Sequence, residues 1–380
     1  SATLLFEKEK ADIAGTYPPM CSAYGDTVFV AFSDVNSSDN YLYIYAVAVN
    51  ANRSIPQIAS KQIYTGTTYM RADSLAVCAI SATKVLVAYH NNLGKDLHTS
   101  VFQISGNTFA ETAYRQQTSI VAPYKSGDNN PCYLEQFSDE LFLYGYKNSD
   151  STAFILRPIA VSGSTITHGS PQGFTATTVG SFIKTGATTG LVRHSSKATP
   201  VTISAASITK GTELEAQVTA LSAYEISPGN YCGISKDLDL DCFQYQEGAY
   251  LLPYSSALHM DLDTVFTCKV QISLGGNELA AVGTGASDKL TVIPYYAQFY
   301  AYSELTPVEL LSAAYEMFSH YAIKLHNRGV FIAGHYSRLV KLMAVDISRL
   351  VTLAAKNTAF YGVALTGGAE GQTIKVAVPV

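Results

Sequence analysis

An all-β fold, a β-propeller of about seven four-stranded blades with a short C-terminal β-hairpin module, is what this sequence predicts. Three observations predict it: a unit of roughly 50 residues recurs, each unit alternates short apolar runs with polar turns, and small residues mark the same strand in successive units.

The repeat is read from its anchors. Met20-Cys21 leads into Val28-Phe29-Val30-Ala31-Phe32, and Val77-Cys78 leads into Val85-Leu86-Val87-Ala88-Tyr89, with the same step from Cys to Val. Pro131-Cys132 precedes Leu141-Phe142-Leu143-Tyr144. Tyr321-Ala322 precedes Val330-Phe331-Ile332, with Ala in the Cys place. The gaps on either side of Tyr231-Cys232 are each wide enough for two units. Phe182 to Leu191 fills the first of them and the run from Leu279 the second. Blades are therefore expected to start near residues 20, 77, 131, 181, 231, 279 and 321, in a propeller spanning 1–355, with 356–380 as the separate C-terminal element.

Within a unit, a polar turn (34–40, 90–96, 147–151) follows the second strand, and an alternating third strand (41–49, 97–104, 154–161) follows the turn. Short alternating strands between regular turn signals are the all-β pattern. Outer strands such as 55–64 are more polar, as stacked blades require. The segment 306–318 conflicts locally: Thr306, Pro307 and Glu309 form a helix start with a capping box. It occupies the outer-strand register of its unit, and strand is the favoured reading.

Cys21, Cys78, Cys132 and Cys232 then share one first-strand position near the axis, where free Cys acts as a small buried hydrophobe. Such thiols are structural rather than catalytic, and around a ring only neighbouring blades bring them close enough to pair. None of the six cysteines stands in a CxxC or zinc-spaced cluster, so neither metal nor cofactor is expected.

Composition narrows the function. The chain has 380 residues, 47% hydrophobic and only 14% charged, where average chains carry roughly a quarter charged residues. Its surface must be rich in Ser, Thr, Asn, Gly and Tyr. A net charge of −5 without a basic tract argues against nucleic-acid binding. No apolar run approaches the roughly 18 residues of a membrane span. The first fifteen residues mix acids and bases without an apolar core, which predicts synthesis in a cytoplasm rather than secretion. With no Trp, the WD repeat and the sialidase Asp-box are excluded in their usual forms. GxSxG, HExxH and P-loop motifs are absent too, so an enzyme is not the favoured expectation.

The C-terminal run Phe360-Tyr361-Gly362-Val363-Ala364-Leu365-Thr366-Gly367-Gly368-Ala369-Glu370-Gly371-Gln372-Thr373-Ile374-Lys375-Val376-Ala377-Val378 resembles a short β module of tail-fibre and other virion proteins of tailed bacteriophages. The resemblance implies a structural virion protein of a tail fibre, tip or baseplate. Such a protein would be made in the host cytoplasm and assembled with other tail proteins, commonly as a homo-oligomer. Its expected role is recognition of host-surface carbohydrate or protein. Two other readings stay open: a propeller glycoside hydrolase or lyase acting on surface polysaccharide, and a lectin-like scaffolding propeller.

Propeller topology puts the connection after each second strand on the face that also carries the blade-to-blade links. The rim candidates for ligand binding are therefore Asp34, His90, Lys147, His194 and His335, with Ser255-Ser256 in the fifth unit. Three His at equivalent places could ring a glycan or an ion; local turn-starting hydrogen bonds are the alternative and the favoured one. Asp237, Asp239, Asp241 and Asp263 offer carboxylates for acid/base work or calcium, or a solvated strand edge that blocks aggregation, which is favoured. No catalytic residue and no metal ligand is assigned.

Overall fold

The computed structural model describes residues 3–10, 19–35, 40–50, 55–66, 71–91, 96–118, 132–148, 152–175, 181–194, 197–215, 223–234, 239–246, 249–251, 258–259, 267–275, 278–284, 290–298, 301–304, 308–309, 319–325, 329–336, 339–346, 363–364 and 376–377. Among them the strands group into seven antiparallel sheets of four or five strands, plus a two-stranded pair.

Blade one consists of Met20–Tyr24, Thr27–Val35, Asn40–Ala48 and Gln57–Gly66, paired in that order from inside to outside. Blade two follows the same meander through Arg71–Ser81, Lys84–Asn91, Asp96–Ser105 and Thr108–Gln117. The inner three strands of the next blades are Tyr133–Gln136, Leu141–Lys147 and Ala153–Ser162 in blade three, and Ser181–Lys184, Thr189–His194 and Lys197–Ile203 in blade four. Blade five has Tyr224–Ser227, Asn230–Ile234 and Asp239–Gln246; blade six has Thr267–Gly275, Glu278–Thr284 and Leu290–Gln298.

The outer strand is broken in blades three to six. In blade three, Thr165–His168 and Gln172–Thr175 pair with successive stretches of the same third strand. Gly169, Ser170 and Pro171 fall in the gap, where proline has no N–H to donate to a ladder. The gap is used: Gly169 N–H returns to Pro158 O at 2.9 Å, and Ser170 N–H reaches Ala206 O of blade four at 2.8 Å.

The blades form a ring through their buried faces. Phe29 and Leu42 of blade one meet Val85 and Val87 of blade two. Leu86 and Val101 of blade two meet Tyr144 and Ile155 of blade three, and Leu156 and Phe174 meet Val192 and Val201 of blade four. Leu191 meets Phe243, and the Tyr224 hydroxyl of blade five donates to Gln271 O of blade six at 2.7 Å. Val282 and Val292 of blade six meet Ile332 and Met343 of the last blade, whose Phe331 and Ala344 pack on Val28 and Val30 of blade one. Apart from the seam of blades five and six, which the Tyr224 hydrogen bond marks, neighbouring blades thus bury apolar area on each other, which is the chief stabilising term. The architecture is a β-propeller.

The last blade closes the ring in a way the repeat spacing does not reveal. Ser319–Lys324, Gly329–Tyr336 and Leu339–Asp346 are followed not by a fourth segment of their own but by the N-terminal strand Thr3–Lys10, antiparallel with Thr3 opposite Asp346 and Lys10 opposite Val340.

Two anchors shift in register. Residues 231 and 279 lie on the second strands Asn230–Ile234 and Glu278–Thr284, not on inner strands. Second strands are buried at nearly every residue, as in Glu278–Thr284, so their apolar runs stand out in the sequence, whereas the inner strand Tyr224–Ser227 has no fully buried residue and leaves no such mark. Cys21 and Cys78 do sit on inner strands, and Cys132 directly precedes one. Cys232 does not: it faces Cys242 across the second and third strands of blade five and is disulfide-bonded, so it is not a free structural thiol. Val308–Glu309 extends the outer strand of blade six, as its register predicts, while 310–318 lie outside the described residues. At the C-terminus Val363–Ala364 pairs with Val376–Ala377; the rest of 347–380 lies outside the described residues.

Alternating strand direction gives the ring two unlike faces. First-to-second and third-to-outer connections share one face and, apart from 49–56 in blade one, span two to four residues, as at 25–26, 106–107 and 163–164. Gly25 and Gly106 hold φ of 60° and 63° there, a left-handed backbone that costs glycine nothing. Second-to-third and blade-to-blade connections leave from the opposite face, among them the link of residues 118–132.

Candidate functional site

All five rim candidates lie at the C-terminal ends of second strands, on the long-connection face: Asp34, His90, Lys147, His194 and His335. Their backbones are thus placed as the repeat predicts, each in a different blade. Two of the side chains point inward. His90 is fully buried; its Nδ1 lies 3.1 Å from the Tyr144 hydroxyl of blade three, and its ring packs on Tyr144 and Tyr146. His194 is buried as well, donating from Nδ1 to Thr175 O of blade three at 2.9 Å and accepting the Thr199 hydroxyl at Nε2 at 2.8 Å. Both histidines therefore stitch neighbouring blades. Lys147 is half-buried, while the side chains of Asp34 and His335 and the pair Ser255-Ser256 lie outside what is described.

The densest polar constellation among the described residues lies beneath the same face, between blades two and three. Arg157, on the third strand of blade three, is only 3% exposed. Its Nη1 donates to Gln117 Oε1 of blade two at 2.7 Å and to Gly169 O at 3.0 Å. Gln117 Oε1 also accepts from His168 Nδ1 at 3.2 Å, and the Thr99 hydroxyl donates to His168 Nε2 at 2.9 Å. That pattern uses His168 in its neutral form, one ring nitrogen donating and the other accepting. Burial, with Arg157 and Arg115 nearby, pushes its pKa down to about 4. Burial also lowers the Arg157 pKa, opposed by the Tyr146 and Tyr144 phenols.

A second group lies toward the axis, on inner strands. Burial raises the Glu135 carboxyl of blade three, with Lys184 of blade four acting against the rise. Lys184 Nζ donates to Gln136 O at 2.6 Å and lies 5.0 Å from the Phe137 ring centroid. Burial, then Glu135, pushes the Cys78 thiol up to about 12, which makes it a poor nucleophile.

The acidic run sits differently from its sequence reading. Asp239 and Asp241 lie on the third strand of blade five, with Asp241 opposite Gly233 of the second strand and Asp239 opposite His259 of the outer segment, so their strand has neighbours on both sides and is not the free edge of the sheet. Asp237 and Asp263 lie outside the described residues. Among the described residues no group of three or more His, Cys, Asp or Glu is placed to hold a metal ion, and no helix is long and apolar enough to cross a membrane.

Sequence reasoning missed Arg157, His168, Gln117 and Thr99. Arg157 had a visible signal, a lone cation inside the run Phe154-Ile155-Leu156-Arg157-Pro158-Ile159. Its side-chain partner Gln117 comes from another blade and carries no local mark.

No family model and no curated protein matches the chain. Among solved structures, it is similar to a protein from Lactobacillus plantarum, at TM-score 0.53 and 11% identity over 83% of this chain and 95% of that one. It is also similar to a putative 6-phosphogluconolactonase from Bacteroides fragilis, at 0.51 and 12% over 83% and 92%, and to a chain of a Mitotic Checkpoint Complex, at 0.55 and 9% over 90% and 93%. At such identities the likeness is one of fold.

Proposed function

We propose that this chain is a structural and recognition component of a bacteriophage tail, a ring of seven blades of four strand positions each, presenting one face to a host surface. The supporting observation is the asymmetry of the ring. Apart from 49–56, one face carries connections of two to four residues, whereas the opposite face collects every second-to-third and blade-to-blade connection, the longest being 118–132. Those connections are rich in Asn, Ser, Thr, Asp and Tyr, as at 36–39, 67–70 and 118–132. Binding residues concentrate on loops that a rigid scaffold positions. Beneath that face, the buried polar groups of blades two to four serve to lock blade to blade, which suits a rigid platform more than a reaction centre. The C-terminal run that resembles a tail-protein module supports the virion setting.

Adsorption of the purified chain to cells of the bacteria whose phages encode it, together with co-assembly with the tail proteins encoded beside it, tests this reading. Both are expected. A chain that neither adsorbs to cells nor assembles with tail proteins overturns it.

A further inference from the structure

On the side of blade two that faces blade one, a directed chain of hydrogen bonds runs from a buried ring to a surface carboxylate. Tyr89, His98 and Gln116 are direct cross-strand neighbours, Tyr89 opposite His98 and His98 opposite Gln116. Alternation along the strands places Asp96 on the same face as His98, and Tyr114 on the same face as Gln116. The His98 ring stacks on Tyr89 with centroids 5.0 Å apart and 9° between planes. His98 Nδ1 lies 2.8 Å from the Tyr114 hydroxyl, which donates to Gln116 Oε1 at 3.3 Å; Gln116 Nε2 in turn donates to Asp96 Oδ2 at 3.5 Å. His98 Nε2 is buried with no hydrogen-bond partner. A buried lone pair left unmade is more tolerable than a buried N–H, so the ring proton belongs on Nδ1. Every donor then points the same way, from His98 through Tyr114 and Gln116 to Asp96.

The result is an aromatic ring that is fixed in place yet 49% exposed. Tyr24 is the other large apolar side chain as open among the described residues, but no hydrogen bond in the described structure holds it. Ordering a flexible side chain on binding costs conformational entropy, and Tyr114 has already met that cost. Beside the ring edge stand an amide and a carboxylate, both good partners for hydroxyl groups. One apolar face bordered by groups that bond hydroxyls matches a pyranose, which carries C–H bonds on one face and hydroxyls at its edge. A protein partner would call for a wider apolar patch, and a phosphate backbone would meet Asp96 unfavourably.

We propose that Tyr114, with Gln116 and Asp96 at its edge, is a binding subsite for a neutral sugar residue of a surface polysaccharide. This deepens the recognition reading above and rests on it for its biological setting.

Affinity electrophoresis through gels containing dextran, galactomannan or yeast mannan tests it directly. The wild-type chain is expected to be retarded in at least one of the three. Tyr114→Ala is expected to lose at least about tenfold in affinity, a loss of about 1.4 kcal/mol. Tyr114→Phe, which keeps the ring but breaks the chain of hydrogen bonds, and Gln116→Ala should each weaken binding by about two- to fivefold. Tyr24→Ala should bind like the wild type. Absence of retardation in all three gels, or equal retardation of wild type and Tyr114→Ala, overturns the subsite. The two readings fail separately. Cells that adsorb Tyr114→Ala as well as wild type sink the subsite and leave recognition standing; a chain retarded by polysaccharide through Tyr114 that adsorbs to no cells does the reverse.

Discussion

Arg157 of blade three donates to Gln117 of blade two across 2.7 Å, and no carboxylate takes part in the pair. A buried guanidinium is costly unless its donors are satisfied. Here a side-chain amide and the carbonyl of Gly169 both accept from Nη1, while Nε is buried with no hydrogen-bond partner among the described residues. The seam between these blades therefore depends on polar groups drawn from two blades at once.

Gln117→Ala should leave Arg157 Nη1 with one acceptor instead of two and His168 Nδ1 with none. The expected cost is about 1–3 kcal/mol, read as a lower urea midpoint at unchanged slope. Gln103→Ala, at an exposed position on the third strand of blade two, serves as the control and should stay within about 0.5 kcal/mol. Equal midpoints for the two variants would refute the role given to Gln117.

Acid should loosen the same seam. The His168 pKa in the fold, about 4, lies below its ordinary value of 6.5, so between those values the unfolded chain binds more protons than the folded one. Stability then rises with pH through that window. It is fully present above about pH 6.5 and lost as pH falls toward 4. The His168 contribution is about 2–3 kcal/mol. His98, whose pKa burial also lowers, adds in the same direction. Chemical denaturation at pH 7 and pH 4.5 should show the loss in wild type and a smaller loss in His168→Gln. An identical pH slope in both would count against it.

Two glycines should respond differently to the same methyl group. At Gly106 an added Cβ meets nothing within 4 Å, and only the left-handed backbone, φ 63°, resists it. Gly106→Ala should cost about 1–2 kcal/mol and leave packing intact. At Gly145 the same atom would overlap the Tyr133 ring, which stacks on Phe182 of blade four at 15° between planes. Gly145→Ala should cost about 1–3 kcal/mol through overpacking and change the near-ultraviolet tyrosine circular dichroism, which Gly106→Ala should not.

Burial pushes the Cys78 thiol up to about 12 and raises Cys21 further still. At pH 8 neither should react with iodoacetamide over minutes in the folded chain, and both should react once urea unfolds it. Peptide mapping after alkylation reads this out; ready native labelling of either would contradict their placement in the core.

Much of the fold was legible because its signals are local. Alternation in Leu97 to Ile104 and the turn at Gly106 act within a few residues of chain, and their recurrence marks blade after blade. That repetition also located the ends of the second strands where His90 and His194 sit. It could not tell that these rings turn inward, since their partners, Tyr144 and Thr175, belong to the next or the preceding blade.

By itself, then, the sequence determined a β-rich chain of repeating four-strand units, its turns, and its small buried residues at the inner strands. Tertiary structure decided the pairings with no local trace. It placed Thr3–Lys10 on Leu339–Asp346 to close the ring, moved Cys232 to a second strand opposite Cys242, and brought Arg157 to Gln117. The physical reason is the range of the forces involved. Backbone propensity and side-chain alternation are settled within a strand, whereas ring closure and polar pairing across a seam are settled only when distant segments compete for the same buried surface.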